Sequence, residues 1–488
     1  MLDVRVETRV GWLEGVCSHG VIRWLGVPYA RADRFAAPQA VAPWKGVRPA
    51  RAFSPQCPQL LFGSIARAKF RAPGFGEDCL ALNIWAPRSG DSELKPVVVW
   101  IHGGAFVVGC SNSYDGAELA RLGDMVVVTI NYRLGVLGFV NFADVLGHPE
   151  IPSNLGLRDQ IAALEWVRDN IQAFGGDPGR VTIAGQSAGS LCVSLLMLSR
   201  TAWPLFHGAI LQSGAISLIH DHDKSLRIGR RYVELLELDQ GDLNTLRGID
   251  LSRLFAAQAR IDAEERNGIP AGPWFDNDLL PASLEAARAA PTAPVPLLAG
   301  ANRDEIRLFE VMPGDILPTR RPDLERLVRD QLPAEQADRI VAAYPRTVRG
   351  RQAFASDLTF AMPTRHFAER HSARNATWVY RFDYRHPMLG ACHALDLAFL
   401  WPIRGLVGVM IRGGLMSGSR AGLADRIKGH WTHFVRHGRP GADWPPYTSD
   451  VRMVRLFDLP DQTVEDLEPT RYAAWSRQDV APRLKAPR

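Results

Sequence analysis

No run of about 18 consecutive apolar residues occurs anywhere in this 488-residue chain, which excludes an ordinary membrane-spanning helix. Cysteine is scarce. There are six, with no Cys-x-x-Cys pair, too few and too scattered for a disulfide scaffold. Charge of one sign is lacking too: the net charge is +5, and no basic run carries interleaved aromatics, so no nucleic-acid partner is expected. Internal repeats, low-complexity stretches and metal-ligand clusters are absent. The opening residues, Met1-Leu2-Asp3-Val4-Arg5, have neither the charged start nor the apolar stretch of a signal peptide. These absences lead to the expectation of a cytoplasmic protein with no integral membrane segment. A monomer or homodimer is expected. With 46% hydrophobic and 22% charged residues, the chain has ample material for a large globular core.

What is present is an alternation of strands and helices. Residues 1–30 alternate apolar and polar side chains between glycines and read as a small antiparallel meander. Residues 80–86, 96–101 and 125–132 read as strands, the second and third as continuous apolar runs of the kind buried on both sheet faces. Residues 155–174 read as a helix stopped by Gly175-Gly176. Further strands are expected at 208–212, 294–300 and 377–383, the last of the sheet. This pattern predicts an α/β fold with a large, mostly parallel central sheet flanked by helices. The chain is expected to form a single domain over residues 1–488, with helical insertions around 216–290 and 310–375.

One stretch points to chemistry: Val181-Thr182-Ile183-Ala184-Gly185-Gln186-Ser187-Ala188-Gly189-Ser190. A β-branched run enters Gly-x-Ser-x-Gly and a helix-like run follows, the strand–turn–helix of a nucleophile elbow. A serine hydroxyl attacks a carbonyl only if a base takes its proton, and the base needs a carboxylate to orient it. In chain order after Ser187, Glu305 follows the strand ending at Gly300, with Asp304 as its rival. His393 follows the strand ending near Asp383, with His386 as its rival. His102-Gly103-Gly104-Ala105, directly after the run 96–101, has the form of a loop that presents N–H groups to a developing oxyanion, and the Ala188 N–H is a further donor.

These motifs resemble the type-B carboxylesterase (carboxylesterase/cholinesterase) family of α/β-hydrolases. The likeness covers roughly residues 4–450. It includes Glu77-Asp78-Cys79-Leu80-Ala81-Leu82-Asn83-Ile84-Trp85, Trp100-Ile101-His102-Gly103-Gly104-Ala105-Phe106, Asn154-Leu155-Gly156-Leu157-Arg158-Asp159-Gln160 and Gln212-Ser213-Gly214. The resemblance implies Ser187 as nucleophile, His393 as base and Glu305 as triad acid, with Gly104, Ala105 and Ala188 as the oxyanion hole. It also implies that Ser213 supports the acid, that Arg34–Glu77 and Arg133–Asp159 are structural ion pairs, and that Cys57 and Cys79 occupy the positions of a disulfide. Gln186, Ala271 and Trp274 are candidates for the substrate pocket, the alternative for the last two being plain core.

Two departures bear on substrate. Gln186 stands where cholinesterases carry Glu, and no Trp lies between Cys57 and Cys79, so a quaternary ammonium has no obvious seat. Ile306 also follows Glu305 where the family usually has Gly. Residues 59–75 mix apolar and basic side chains and read either as a lid or as a surface loop beside the site. The function expected is a serine carboxylesterase acting on uncharged short- to medium-chain esters through an acyl-enzyme, with a small-molecule ester as its partner and no cofactor. Lipase-like, amidase or carbamate hydrolysis on the same residues is the alternative, and a non-catalytic binding protein of the same fold is a more distant one.

Overall fold

The computed structural model describes residues 2–60, 74–88, 93–239, 241–265, 268–312, 316–402 and 419–475. Among these, eleven strands pair into one mixed sheet: Val16–Ser18 (β1), Val21–Pro28 (β2), Ala81–Pro87 (β3), Lys95–Ile101 (β4), Val126–Ile130 (β5), Gly176–Gln186 (β6), Gly208–Gln212 (β7), Leu297–Asn302 (β8), Thr377–Phe382 (β9), Met453–Phe457 (β10) and Gln462–Glu465 (β11). Their order is β11-β10-β9-β8-β7-β6-β4-β5-β3-β2-β1. Pairing is parallel from β5 through β10 and antiparallel at both margins.

The apolar runs behave as a doubly covered sheet requires. Alternate side chains of a strand point to opposite faces. Val97, Val99 and Ile101 of β4 join one core with Leu164 and Val167 of the helix Leu155–Asn170 (α1) and Leu191 and Leu195 of the helix Ala188–Leu196 (α2). Val98 and Trp100 join a second core on the other face, with Leu423, Ile427, Trp431 and Phe434 of the helix Ser419–His437 (α3).

Two expectations about the sheet need correction. The N-terminal meander divides. Arg5–Thr8 and Gly11–Glu14 pair antiparallel and take Val47–Pro49 as a third, parallel strand, forming a small separate sheet. β1 and β2 instead form the margin of the large sheet. The strand at 377–383 is not the last, because β10 and β11 extend the sheet beyond it. Those strands are short, only partly buried and interrupted by Arg455, so their apolar signal is faint.

Helices occupy both of the stretches 216–290 and 310–375: His222–Leu236, Leu243–Gly248, Leu251–Glu264 and Leu284–Ala289, and then Arg321–Gln331, Ala334–Ala342, Val348–Ser356 and Met362–Ser372. The last two are joined by one wider, π-type turn, Asp357–Ala361. Asp357 is pinned from outside: Tyr344 Oη donates to its carboxylate at 2.7 Å, Arg471 Nη1 lies 3.0 Å away, and Trp475 Nε1 donates to Tyr344 Oη at 2.7 Å. The helix Pro469–Trp475 is thereby tied to the π turn.

Both ion pairs form, in different settings. Arg34 grips Glu77 with two bonds of 2.8 and 2.5 Å, but the Glu77 side chain is 34% exposed. Arg133 grips Asp159 at 2.8 and 2.7 Å, and the Asp159 side chain is fully buried. Its carboxylate also accepts the Arg133 backbone N–H at 3.0 Å. Breaking a buried pair from one side strands a charge and costs about 3–5 kcal/mol, whereas an exposed pair is worth about 1 kcal/mol or less. Asp159→Asn is therefore expected to lower the urea midpoint far more than Glu77→Gln; equal shifts would contradict this account.

Candidate active site

Every residue the sequence singles out for catalysis lies in a segment that follows the carboxyl end of a parallel strand, Ser187 directly and His393 eleven residues on (393 − 382). β6 ends at Gln186, and Ser187 then takes φ 58° and ψ −127° before α2 begins at Ala188. A non-glycine residue held there costs about 1–3 kcal/mol, which the surrounding packing must over-determine. Two glycines let the turn close. A Cβ on Gly189 would lie 2.0 Å from the Ile101 carbonyl oxygen, and one on Gly185 would lie 2.5 Å from the Gly189 backbone. Ser187 N–H donates to the Gln212 carbonyl at 2.9 Å, and Ser187 Oγ makes no hydrogen bond among the described residues.

β8 and β9 deliver the next two groups. Glu305 is fully buried, and its two oxygens are both used: Oε1 accepts the Asn302 N–H at 2.7 Å, and Oε2 lies 2.6 Å from His393 Nδ1. A carboxylate only accepts, so Nδ1 carries the ring hydrogen and Nε2 presents its lone pair. That lone pair faces Gln186 Nε2, 3.1 Å away. Phe309, from the helix Arg307–Val311, and Phe360, from the π turn, pack on the imidazole with centroids 5.2 and 4.5 Å distant. Ile306 is fully buried, and its N–H donates to Ser356 Oγ at 3.1 Å, so the unusual residue anchors the Glu305 loop without turning the carboxylate away.

The loop after β4 has the geometry of an anion seat. Gly104, Ala105 and Phe106 have φ of 119°, 54° and 61°, and a Cβ on Gly104 would lie 2.0 Å from the Val108 carbonyl oxygen. The N–H groups of Gly104, Ala105 and Ala188 donate to no acceptor among the described residues. Gln59 braces the far end of the loop, accepting from Gly109 N–H at 2.8 Å and donating to its carbonyl at 3.0 Å. His102 stacks on Tyr132 at 4.5 Å, and its Nδ1 lies 2.9 Å from the Gly103 carbonyl. Burial pushes its pKa down to about 4, so it is a neutral structural ring.

Other expectations fare differently. Asp304 turns to the Ala391 N–H at 3.0 Å, and His386 Nδ1 to the backbone of Met388 and Leu389, so neither rival meets the Ser187 site. Ser213 is buried, but its hydroxyl has no hydrogen-bond partner among the described residues; Asn302, not Ser213, supplies the second bond to Glu305. Cys57 and Cys79 form no disulfide. They meet as buried thiols, with Leu134 N–H on Cys57 Sγ at 3.3 Å, and the Cys57 hydrogen bond and burial hold the Cys79 thiol protonated. Ala271 and Trp274 are buried in a stretch that packs toward Phe106, His220 and Asn154. Residues 61–73, most of the segment read as a lid or loop, lie outside the described residues.

Sequence reasoning missed Asp396. It is buried beside the Glu305–His393 pair, accepting from Gln212 Nε2 at 2.7 Å and Asn302 Nδ2 at 3.2 Å. Burial and then Glu305 raise its pKa to about 6. Its place three residues after His393 was the one available signal.

A model of the carboxylesterase family matches residues 3–475. The para-nitrobenzyl esterase of Bacillus subtilis is 34% identical over 471 residues, covering 93% of this chain and 94% of that protein. Carboxylesterase 4A of Bos taurus is 31% identical, with 96% and 94% covered. Among solved structures, a PNB esterase superposes with a TM-score of 0.87 at 33% identity over 96% of this chain and 99% of the other. A carboxylesterase of Geobacillus stearothermophilus gives 0.83 at 32% identity over 97% and 100%. With its serine turn, buried carboxylate–imidazole pair and open N–H groups on this framework, the chain belongs to the carboxylesterase family.

Proposed function

We propose that the protein is a serine carboxylesterase that hydrolyses uncharged short- to medium-chain esters. The observation that carries this reading is the 2.6 Å contact of His393 Nδ1 with buried Glu305, which leaves the Nε2 lone pair turned to Gln186, the residue before Ser187. In the reaction Ser187 Oγ attacks the ester carbonyl and His393 Nε2 takes its proton. Glu305 stabilises the imidazolium, and the N–H groups of Gly104, Ala105 and Ala188 take the charge growing on the carbonyl oxygen. Each such donor is worth roughly 3–4 kcal/mol in the transition state. His393 then protonates the departing alcohol, and water releases the acid from Ser187 by the same route.

Neutral Gln186 beside the base argues for uncharged alcohol groups, since a cation there gains no carboxylate partner. The six unpaired thiols suit a reducing compartment, which supports a cytoplasmic location. The test is a p-nitrophenyl ester series from acetate to palmitate, on the wild type and on Ser187→Ala. Turnover that depends on Ser187 and is highest at short chains is expected. A maximum at palmitate would replace this reading with a lipase, and turnover independent of Ser187 would remove it.

A further inference from the structure

The His393 Nε2 lone pair is where the Ser187 proton must go, yet in the structure it is already taken. Gln186 Nε2 lies 3.1 Å from it, while Ser187 Oγ bonds to nothing among the described residues. Because Nδ1–H is committed to Glu305, Nε2 can only accept, so the amide nitrogen of Gln186, not its oxygen, must face the ring. Gln186 is 3% exposed, and its amide oxygen lies 3.4 Å from where a Gly103 Cβ would stand. The carboxamide thus reaches from the anion-binding loop to the base. One lone pair faces two donors, and the Gln186 N–H and the Ser187 O–H exclude each other.

We propose that Gln186 is a positioning residue that caps the base: in the resting site its carboxamide holds His393 Nε2, and it yields that lone pair to Ser187 when an ester is bound. This rests on the esterase reading above. No bond is made or broken beyond the exchange of one hydrogen-bond donor for another.

A donor on Nε2 disfavours a second ring proton, since two N–H groups would then point at each other. Among the described residues, the charged and titratable groups around the Glu305–His393 pair are Glu305, Asp396, Cys392 and Tyr380, with Arg307 acting on Cys392. Glu305 comes from the loop after β8, and Asp396, raised to about 6, comes from the turn after His393 itself. Burial holds Cys392 (pushed up to about 12) and Tyr380, on β9, uncharged. Phe309 and Phe360 add no charge. All of these stay the same when Gln186 alone is changed, so differences among Gln186 variants report on the cap.

The experiment is kcat/KM against pH, on p-nitrophenyl acetate, for the wild type, Gln186→Leu and Gln186→Glu. Leucine keeps the bulk and removes the donor; glutamate puts a carboxylate against the ring. The acid limb is expected to move up by about 0.5–1 pH unit in Gln186→Leu and by about 1–3 in Gln186→Glu. On the alkaline plateau Gln186→Leu is expected to gain about two- to tenfold, because no cap has to be displaced. An acid limb of Gln186→Leu at the wild-type position overturns the proposal.

Should the variants fail to fold, ¹⁵N-histidine NMR of Ser187→Ala still decides. With Gln186 as the resting partner, the His393 Nε2 resonance and its titration match the wild type; a changed resonance overturns the cap. Failure of the esterase reading looks different. The wild type itself would then show no Ser187-dependent turnover, whatever the NMR result.

Discussion

Ser187→Ala is expected to lower kcat on p-nitrophenyl acetate by about 10⁶-fold and to abolish the burst that marks an acyl-enzyme. The size follows from the absence of a substitute. The neighbouring hydroxyls are occupied or enclosed: Ser190 Oγ donates to the Gly214 carbonyl at 2.5 Å, and Ser213 Oγ is buried. What survives is the N–H cluster and substrate binding, worth roughly 10³–10⁴ over water. Folding is expected to be untouched, because the Ser187 side chain makes no hydrogen bond among the described residues. Alanine meets the same backbone at φ 58°. A thermal midpoint equal to the wild type, measured alongside the rates, checks this. A loss below tenfold would mean that another group attacks the ester.

Glu305→Gln is expected to cost about 10⁴ in kcat, nearly as much as removing the side chain, although it changes one atom. Both oxygens of Glu305 receive hydrogen: Asn302 N–H at 2.7 Å and the His393 ring at 2.6 Å. Glutamine has one acceptor for these two donors. If its amide nitrogen faces Asn302, two N–H groups collide in a buried site. If it faces His393, the ring hydrogen is driven to Nε2, which then has no lone pair to take the Ser187 proton, and the base is lost. Asp396 does not rescue the variant, because Gln212 and Asn302 already engage its oxygens. In Ser187→Ala the same change is expected to cost almost nothing more, since a base without a nucleophile has no work to do. Single-turnover rates for the two single variants and the double variant test this, and additive losses would contradict it.

Much of the fold was legible because it is written locally. The run 96–101 is apolar at every position, which only a sheet covered on both faces tolerates. The Ser187 turn announces itself because Gly185 and Gly189 have backbone where a Cβ would stand. Chain order alone narrowed the acid to Glu305 or Asp304 and the base to His393 or His386, each in a loop after a late strand, and the family likeness chose between them. What stayed hidden depends on packing between distant segments. Nothing in 348–372 distinguishes a π turn from ordinary helix, yet that turn brings Phe360 onto His393. Asp396 looks like any surface acid until Gln212 and Asn302 enclose it. β10 and β11 carry too little apolar character to declare themselves, and they gain their place from pairing with β9. The Cys57–Cys79 pairing was carried by likeness alone, and two close thiols do not require a bond.

The distances along the chain between the three segments also set a clock. His393 follows Ser187 by 206 residues (393 − 187). At roughly 5–20 residues per second, a ribosome takes about 10–40 s to make that length. For that interval the serine has been synthesised but its base has not. The wait runs longer still for the wall around the base. The π turn that carries Phe360 is held through Asp357 by Arg471 and, by way of Tyr344, by Trp475. The finished site therefore waits until residues 471–475 have been made, and a nascent chain stalled before residue 393 carries the serine without its base.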